Sequence, residues 1–553
     1  MLSIGKLGHG QESYYLQAVA QGVEDYYVGR GEAPGRWRGA LSEELGLDGQ
    51  VAPEDLRAVL DGHDPVGGIR LARTPQRRVP GFDLTLCAPK SVSVLWGLGG
   101  WETSSAVRAA HDASVDAALG YLEAAACWSR RGTNGIVQLR GDGFVAAAFR
   151  HRSSRAGDPH LHTHVLVANA TRSPDTSWGT LDARHLYLHA KTAGYLYEAH
   201  LRAELTRRLG VAWGPVINGI ADIAGIPAPV LKLFSTRRAE IEAEMTARGV
   251  SSARAAQYAV LDTRRAKDYD VEPSLLHTRW TEQAAELGWN RDRLEAVLGQ
   301  PAPLALTPDR VDEIGARLLG PDGLTRQAST FDRRAVLRAW CEQLPQGAEV
   351  SLLEALADQT LADSQVVPLT SDEHGPVRTM RRHATGRPID TPSTGTRYST
   401  QELLALEARL VRRAVAGVDE ALGVADEQCV LAALAARPSL SDEQVEMIVA
   451  LTTSGRAVDA VIAAAGTGKT SASTRRATRG NGPAISSSAP RSRLAPRPSS
   501  KPRPGSQATP SPACFPTSTI PNAAVCDQAR CSSSMKRAWS ALERSPGSST
   551  TPR

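Results

Sequence analysis

Hydrophobic residues follow two different spacings in the first 300 residues of the chain. Residues 103–128 and residues 185–209 repeat apolar positions at the 3.6-residue interval of a helix. Between them, GIVQLRG, GFVAAAFRHR and LHTHVLVANA are short strand-like runs separated by glycine and aspartate turns. This order predicts an α+β fold in which the three runs form an antiparallel meander.

The pattern changes twice after residue 300. Residues 301–425 are acidic and mostly helical, and Ser399 begins a Ser-Thr-Gln-Glu capping box ahead of a helix. Ser441 and Gln444 form a second box, and the apolar run AVDAVIAAAG leads into Thr467-Gly-Lys-Thr. The last 83 residues contain 18 Ser and 12 Pro without apolar periodicity. Such a segment buries too little surface to offset its chain entropy, so we expect this tail to be disordered.

Charge and cysteine content restrict the class of protein. The net charge is +5, and the excess of basic over acidic residues comes from the tail, which has 13 basic and 2 acidic residues. Residues 1–300 carry 34 basic and 34 acidic residues. Bulk charge therefore does not argue for DNA binding by the folded part. No run of 18 apolar residues occurs, the first residues lack the apolar stretch of a signal peptide, and the 7 cysteines form no CxxC pair. We expect a cytoplasmic protein without membrane insertion or a structural zinc site.

The strongest chemical signal is a cluster of histidines. His160, His162 and His164 alternate along one strand-like run and so share one face, and His151 lies on the preceding run. Four of the 13 histidines thus fall within fourteen residues. Imidazoles placed in this way converge on one cation and leave coordination positions open for a substrate oxygen. The alternative is a set of strand histidines that are solvated or hydrogen-bonded in a core.

Two tyrosine pairs and one carboxylate complete the candidate set. The pairs are Tyr14-Tyr15 and Tyr26-Tyr27. Tyr15 and Tyr26 are eleven residues apart, so on one continuous helix they would lie on nearly the same face. Asp83 lies on the solvent face of the run GFDLTLC, where a carboxylate is able to orient a histidine or a hydroxyl. Taken alone, the tyrosines are better explained by packing on a helix, and Asp83 is better explained as an ordinary exposed strand acid.

Together these residues resemble the MobF-type conjugative relaxases, the TrwC/TraI family of plasmid-transfer proteins. The tyrosine pairs, EELGLDGQV, FDLTLCAPKSVS, FRHRSSRAGDPHLHTHVLV and HLYLHAKTAGYLYEAHLRAEL occur in order over roughly residues 1–300. The resemblance implies a five-stranded antiparallel palm of the His-hydrophobic-His type with flanking helices. It also implies four regions: a relaxase domain at 1–300, a helical helicase-associated domain at 301–425, the start of a P-loop helicase domain at 426–470, and the tail at 471–553.

The same resemblance implies the roles of individual residues. His151, His162 and His164 match the ligands of a divalent metal such as Mg or Mn, with His160 as a neighbour. Tyr14 and Tyr26 match the nucleophiles, although the long spacer leaves Tyr15 and Tyr27 open as alternatives, and Asp83 matches the acid beside the site. The implied partners are single-stranded DNA at a transfer origin and the coupling protein of a transfer apparatus.

The phosphate loop points to a second activity. Gly466, Thr467, Gly468, Lys469 and Thr470 fit the Walker pattern except that alanine replaces its first glycine. Lys469 is then expected at the β and γ phosphates of ATP, Thr470 at magnesium, and Gln444 either at adenine or in its capping box. An NTPase also needs an acidic magnesium partner and an arginine downstream, where the sequence has only the tail.

Three functions follow from these patterns. The first is a metal-dependent strand transferase that cuts one DNA strand at a transfer origin and stays attached to the 5′ end. The second is an ATP-binding helicase fragment, and the third is a DNA-binding remnant without productive chemistry. A nicking assay on single-stranded oligonucleotides separates the first from the third, and an ATPase assay separates the first from the second.

We predict that residues after about Thr470 result from a frameshift or truncation and that helicase activity is lost. Gly480, Gly482 and Pro483 follow the loop too soon for a flanking helix, and Ser, Pro and Arg enrichment with 2 acids is typical of a GC-rich gene read out of frame. Translation of the gene beyond this codon in its other two frames should reveal an acidic Walker B-like strand and later helicase motifs. Their absence from both frames would favour a genuine basic tail that binds DNA non-specifically.

Overall fold

A computed structural model of the protein describes residues 1–10, 35–71, 79–131, 137–154, 156–248, 273–301, 305–369, 380–381, 388–389, 395–421 and 423–462. The chain divides into two units, Met1–Leu403 and Leu404–Arg553. The predicted tyrosine pairs, phosphate loop and tail lie outside the described residues.

The first unit contains all of the described strands. They are β1 (Leu2–Lys6), β2 (Arg36–Arg38), β3 (Gly81–Cys87), β4 (Trp128–Arg131), β5 (Val137–Arg140), β6 (Ala146–Ser153), β7 (Pro159–Ala168), β8 (Thr171–Arg172), β9 (Trp178–Gly179), β10 (Val366–Leu369), β11 (Met380–Arg381), β12 (Pro388–Ile389) and β13 (Arg397–Thr400).

The described helices follow β2 in the chain and separate or follow the later strands. They are α1 (Ala40–Glu44), α2 (Pro53–Asp61), α3 (Lys90–Leu98), α4 (Trp101–Ala126), α5 (Ala183–Leu209), α6 (Ala228–Leu233), α7 (Thr236–Ala247), α8 (Pro273–Glu286), α9 (Arg291–Glu295), α10 (Pro308–Leu319), α11 (Arg333–Gln343), α12 (Val350–Leu361), α13 (Gln401–Ala416), α14 (Glu427–Ala435) and α15 (Asp442–Thr453). Among the described helices, none is long and apolar enough to cross a membrane.

A five-stranded sheet with the order β1-β3-β7-β6-β2 organises the first unit, and every neighbouring pair is antiparallel. The predicted α+β fold with a five-stranded antiparallel sheet flanked by helices is therefore confirmed. The predicted meander is only partly correct. β6 and β7 are neighbours, but β5 pairs with β4 in a separate hairpin. The apolar strand β3 takes the other edge of β7 instead, which buries Leu84 completely.

The two faces of the sheet pack against different helices. On one face, Leu84 and Val165 belong to the large core that includes residues of α4 and α5. On the other face, Phe149 and Leu166 pack with Leu56 and other apolar residues of the α1–α2 region. Because strand side chains alternate, the histidines of β6 and β7 lie on this second face, beyond the apolar cluster.

The long helix α5 is defined at both ends by local chemistry. The Asp182 side chain caps its N-terminus by accepting a hydrogen bond from the Arg184 N–H. Gly210 ends it in the left-handed conformation, with φ of 58°, as is common for a glycine after a helix. The observed start at Ala183 is two residues before the predicted start at about residue 185.

Helices α10 to α12 share the large core with the first 300 residues. Trp340 and Leu353 are buried in it, and the Arg202 guanidinium of α5 donates a hydrogen bond of 2.8 Å to the Cys341 carbonyl oxygen. The first unit therefore continues past residue 300. The four predicted domains stay a prediction.

The second predicted capping box forms, whereas the first is displaced. The Ser441 hydroxyl accepts from the Gln444 N–H, and the Gln444 side chain accepts from the Ser441 N–H, at the start of α15. Ser399 instead lies in β13 and donates to the Ser329 carbonyl oxygen. Thr400 accepts from the Leu403 N–H, so the helix begins one residue later than predicted.

We expect Leu84→Ala to lower the free energy of unfolding by about 2–5 kcal/mol, because the substitution leaves a cavity in a close-packed strand. Leu84 has no exposed surface. Urea denaturation of the full chain checks this value. Leu275→Ala is the control, since Leu275 is 61% exposed on α8 and should change stability little. Equal losses for both variants would contradict the assigned core.

Candidate metal centre

The register of β6 and β7 brings three histidines together. His151 is paired directly with His162, and Phe149 is paired with His164. The side chains of His151, His162 and His164 therefore occupy neighbouring positions on one sheet face. Each offers a ligand nitrogen, and these nitrogens lie within 4.8 Å of one another. Among the described residues, this is the group able to hold a metal ion.

His151 and His162 are buried, and His164 is partly exposed. The ring centroids of His151 lie 5.2 Å from His162 and 4.9 Å from His164. His160 lies on the same strand with its ring centroid 4.5 Å from that of His162, but it is not among the converging ligands. The centre is therefore buried at His151 and His162 and reaches the protein surface at His164.

Two of the three rings are oriented through Nδ1. His162 Nδ1 lies 2.8 Å from the carbonyl oxygen of His160. His164 Nδ1 lies 2.9 Å and 3.0 Å from the two carboxylate oxygens of Asp83 on β3. A histidine that donates through Nδ1 in this way coordinates metals through Nε2, and the carboxylate or carbonyl partner also makes the ring a better ligand.

The local electrostatics keep His162 neutral. Burial lowers its pKa well below the ordinary value of 6.5, and repulsion from protonated forms of His160, His151 and His164 lowers the pKa further. The hydrogen bond to the His160 backbone acts in the opposite direction. Neutral imidazole is the form that binds a metal.

The donor set fits a catalytic divalent cation. Three imidazole ligands leave coordination positions open, as a catalytic site requires and a closed four-ligand site does not provide. Asp83 contributes a carboxylate next to the ligands without belonging to the converging set.

A sequence model of the TrwC relaxase family matches residues 8–287, which is just over half of the chain. The chain belongs to the TrwC relaxase family. The matched range includes β3, β6 and β7 and hence the histidine cluster of this TrwC-family chain.

The chain is also similar to curated proteins and to solved structures. Two Escherichia coli proteins named multifunctional conjugation protein TraI, one of them from strain K12, are 30% and 29% identical over 371 and 373 residues. The matches span 63% of this chain but only 20% of either relative. Structures of the conjugative relaxase TrwC in complex with oriT DNA, one copper-bound and one metal-bound, are 30% and 31% identical and match 52% of this chain and 99% of theirs, each with a TM-score of 0.47.

The remaining predicted site residues divide into two groups. Tyr14, Tyr15, Tyr26 and Tyr27 and the phosphate loop from Gly466 to Thr470 lie outside the described residues of this TrwC-family chain. Gln444 is described, and its side chain closes the capping box of α15. Its proposed role at adenine stays a prediction.

The sequence patterns missed one residue beside the centre. The Thr85 hydroxyl lies 3.1 Å from His164 Nδ1 and donates to an Asp83 carboxylate oxygen over 3.2 Å. Thr85 is paired with His164 across β3 and β7. Its alternation with Asp83 in the run GFDLTLC was the available signal, since both residues occupy the same strand face.

Proposed function

We propose that this protein is a DNA relaxase that cuts one strand at the transfer origin of a plasmid or other conjugative element. It forms a 5′-phosphotyrosyl intermediate and is able to rejoin or transfer the strand. The observation that carries the proposal is the convergence of His151, His162 and His164 in a chain of the TrwC relaxase family.

The three histidines hold a divalent cation, with Mg or Mn as the expected ions. When bound, such a cation would stabilise the negative charge that develops on the scissile phosphate. Asp83 orients His164 through Nδ1 and so sets the direction of its ligand nitrogen. Thr85 supports the same carboxylate with a hydrogen bond.

Tyrosine supplies the nucleophile, first from Tyr14 and then, for a second transfer, from Tyr26. The phenolic oxygen bonds to phosphorus, the bond to the 3′ oxygen breaks, and the proton lost by tyrosine balances the one gained by the 3′ hydroxyl. The phosphotyrosine keeps the bond energy of the diester, so the step is reversible. A tyrosine with an ordinary pKa of about 10 needs the charge stabilisation described above.

The topology supports this use of the N-terminal tyrosines. The tyrosine pairs occur between β1 and β2, which are the two edge strands of the sheet that carries the histidines. β1 is paired with β3, and Gly5 lies opposite Asp83. Tyr14 follows the end of β1 by eight residues, a reach of roughly 26–29 Å when extended.

The partners follow from the same assignment. The substrate is single-stranded DNA, with unstacked bases on apolar surface and phosphates on local basic residues. The matched relatives are named as conjugation proteins, which fits a coupling protein as a second partner and a cytoplasmic site of action.

We expect His162→Ala to abolish binding of Mn²⁺ by the full chain in isothermal calorimetry, because it removes the central ligand. His160→Ala should bind Mn²⁺ as the wild type does, since its backbone carbonyl, which orients His162, is retained. Both variants should keep nearly the wild-type unfolding midpoint. Equal Mn²⁺ affinity for wild type and His162→Ala would show that the ligands are assigned wrongly.

We expect a covalent adduct between the protein and a 3′-labelled oligonucleotide that contains the transfer origin. Loss of Tyr14 and Tyr26 in a Tyr14→Phe, Tyr26→Phe double variant should abolish the labelled protein band on a denaturing gel. Tyr187→Phe is the matched control, because Tyr187 is 45% exposed on α5 and should leave the adduct unchanged. An undiminished adduct in the double variant would contradict the choice of Tyr14 and Tyr26.

A further inference from the structure

Helix α4 contacts β6 and β7, the strands that carry the histidine cluster, from the side opposite to that cluster. Two consecutive residues of this helix, His111 and Asp112, reach the two strands separately. Their partners are Thr163 on β7 and Arg150 on β6. Neither partner belongs to the histidine cluster itself.

Thr163 lies between His162 and His164 in the sequence, and its side chain points to the opposite face. His111 Nε2 is 2.7 Å from the Thr163 hydroxyl, and His111 Nδ1 is 2.8 Å from the Tyr197 hydroxyl. His111 has no exposed surface, and burial lowers its pKa to about 4. The neutral ring therefore donates to one hydroxyl and accepts from the other, which satisfies both of its nitrogens.

Arg150 immediately precedes His151, and its guanidinium forms an ion pair with the Asp112 carboxylate. Arg150 is also the residue directly paired with Thr163 across β6 and β7. This cross-strand pair is flanked by the His151–His162 pair on one side and by the Phe149–His164 pair on the other. His111 and Asp112, which are adjacent on one helix, thus contact the cross-strand pair Arg150–Thr163. This pair lies between the two cross-strand pairs that contain the three histidines.

We propose that His111 and Asp112 are positioning residues, which set the spacing of the His151, His162 and His164 ligands by holding Thr163 and Arg150 from behind the sheet. The proposal rests on the proposed metal-binding function. A small shift of either strand separates ligand nitrogens that now lie within 4.8 Å of one another. Groups that support ligands without touching the metal are known to change metal affinity strongly.

The same helix provides an internal comparison. Asp116, one turn after Asp112, forms a similar ion pair with Arg38 over 2.6 Å. The two pairs have similar exposure, with 39% for the Asp112 side chain and 46% for that of Asp116. Arg38 lies on β2, which carries none of the three histidines. Asp116→Asn therefore removes the same kind of helix–sheet contact without touching a ligand strand.

The test measures Mn²⁺ affinity of the full chain by calorimetry, together with its thermal unfolding. Thr163→Val and Asp112→Asn should weaken Mn²⁺ binding about tenfold or more. Thr163→Ser, which keeps the hydroxyl, and Asp116→Asn should bind Mn²⁺ as the wild type does. Co²⁺ spectra of Thr163→Val and Thr163→Ser should differ, since only the first alters the ligand geometry. A purely structural role would lower the unfolding midpoint and leave the affinity and the spectrum unchanged.

Wild-type affinity in both Thr163→Val and Asp112→Asn, with His162→Ala inactive in binding, would overturn the positioning role and leave the proposed metal centre intact. An equal loss of affinity in Asp116→Asn would also overturn it, because any helix–sheet contact would then suffice. Should Thr163→Val fail to fold, the matched pair Asp112→Asn and Asp116→Asn decides the question. Absence of Mn²⁺ binding by the wild type would instead remove the metal-binding function itself.

Discussion

The antiparallel ladder between β6 and β7 is the interaction on which the candidate centre depends. Its register sets His151 opposite His162 and leaves His164 one rung away on the same face. Side chains alternate strictly along a strand, so a slip of one residue would turn one strand's histidines to the opposite face. The register of the ladder is fixed by residues outside the centre, because Phe149 and Leu166 must face the apolar cluster beneath α1 and α2.

One face of the sheet packs in the large core, and the other face carries the histidine cluster. The face towards α4 and α5 is apolar along β3 and, apart from Thr163, along β7, and it contributes to the large core. The other face is apolar only at one end. Where that cover stops, His151, His162 and His164 occupy the same face, and His164 is the partly exposed member of the three. Residues of α4 contact the same two strands from behind. Preorganisation of this kind is what a metal site needs in order to favour one coordination geometry.

The sequence predicted those features that depend on local spacing. The long helices, the strands β6 and β7 and the shared face of His162 and His164 all follow from periodicity within a few residues. Features that depend on distant pairing were harder to predict. The separation of β5 from the large sheet and the contact of Thr85 with His164 require knowledge of which strand lies beside β7. The displaced helix start at Thr400 has the same origin, because Ser399 is drawn into β13 by its pairing with distant residues.

His111 illustrates the limit more sharply. In the sequence it is one polar residue in an alanine-rich helix, and nothing local distinguishes it from an exposed side chain. Its burial becomes intelligible only when the hydroxyls of Thr163 and Tyr197 are seen on either side of the ring. Buried polar groups of this type require partners from separate elements, and single-sequence patterns do not reveal such partners.

The origin of the three histidines in a single hairpin also bears on folding kinetics. His151 and His164 are thirteen positions apart in the chain, so the loop that must close to bring them together is short. Contacts of such low sequence separation form early, and hairpins close in about 1–10 μs. Asp83, by contrast, reaches His164 from 81 residues away. The ligands are thus able to assemble before the strand that orients one of them has docked, which places the final adjustment of the centre late in folding.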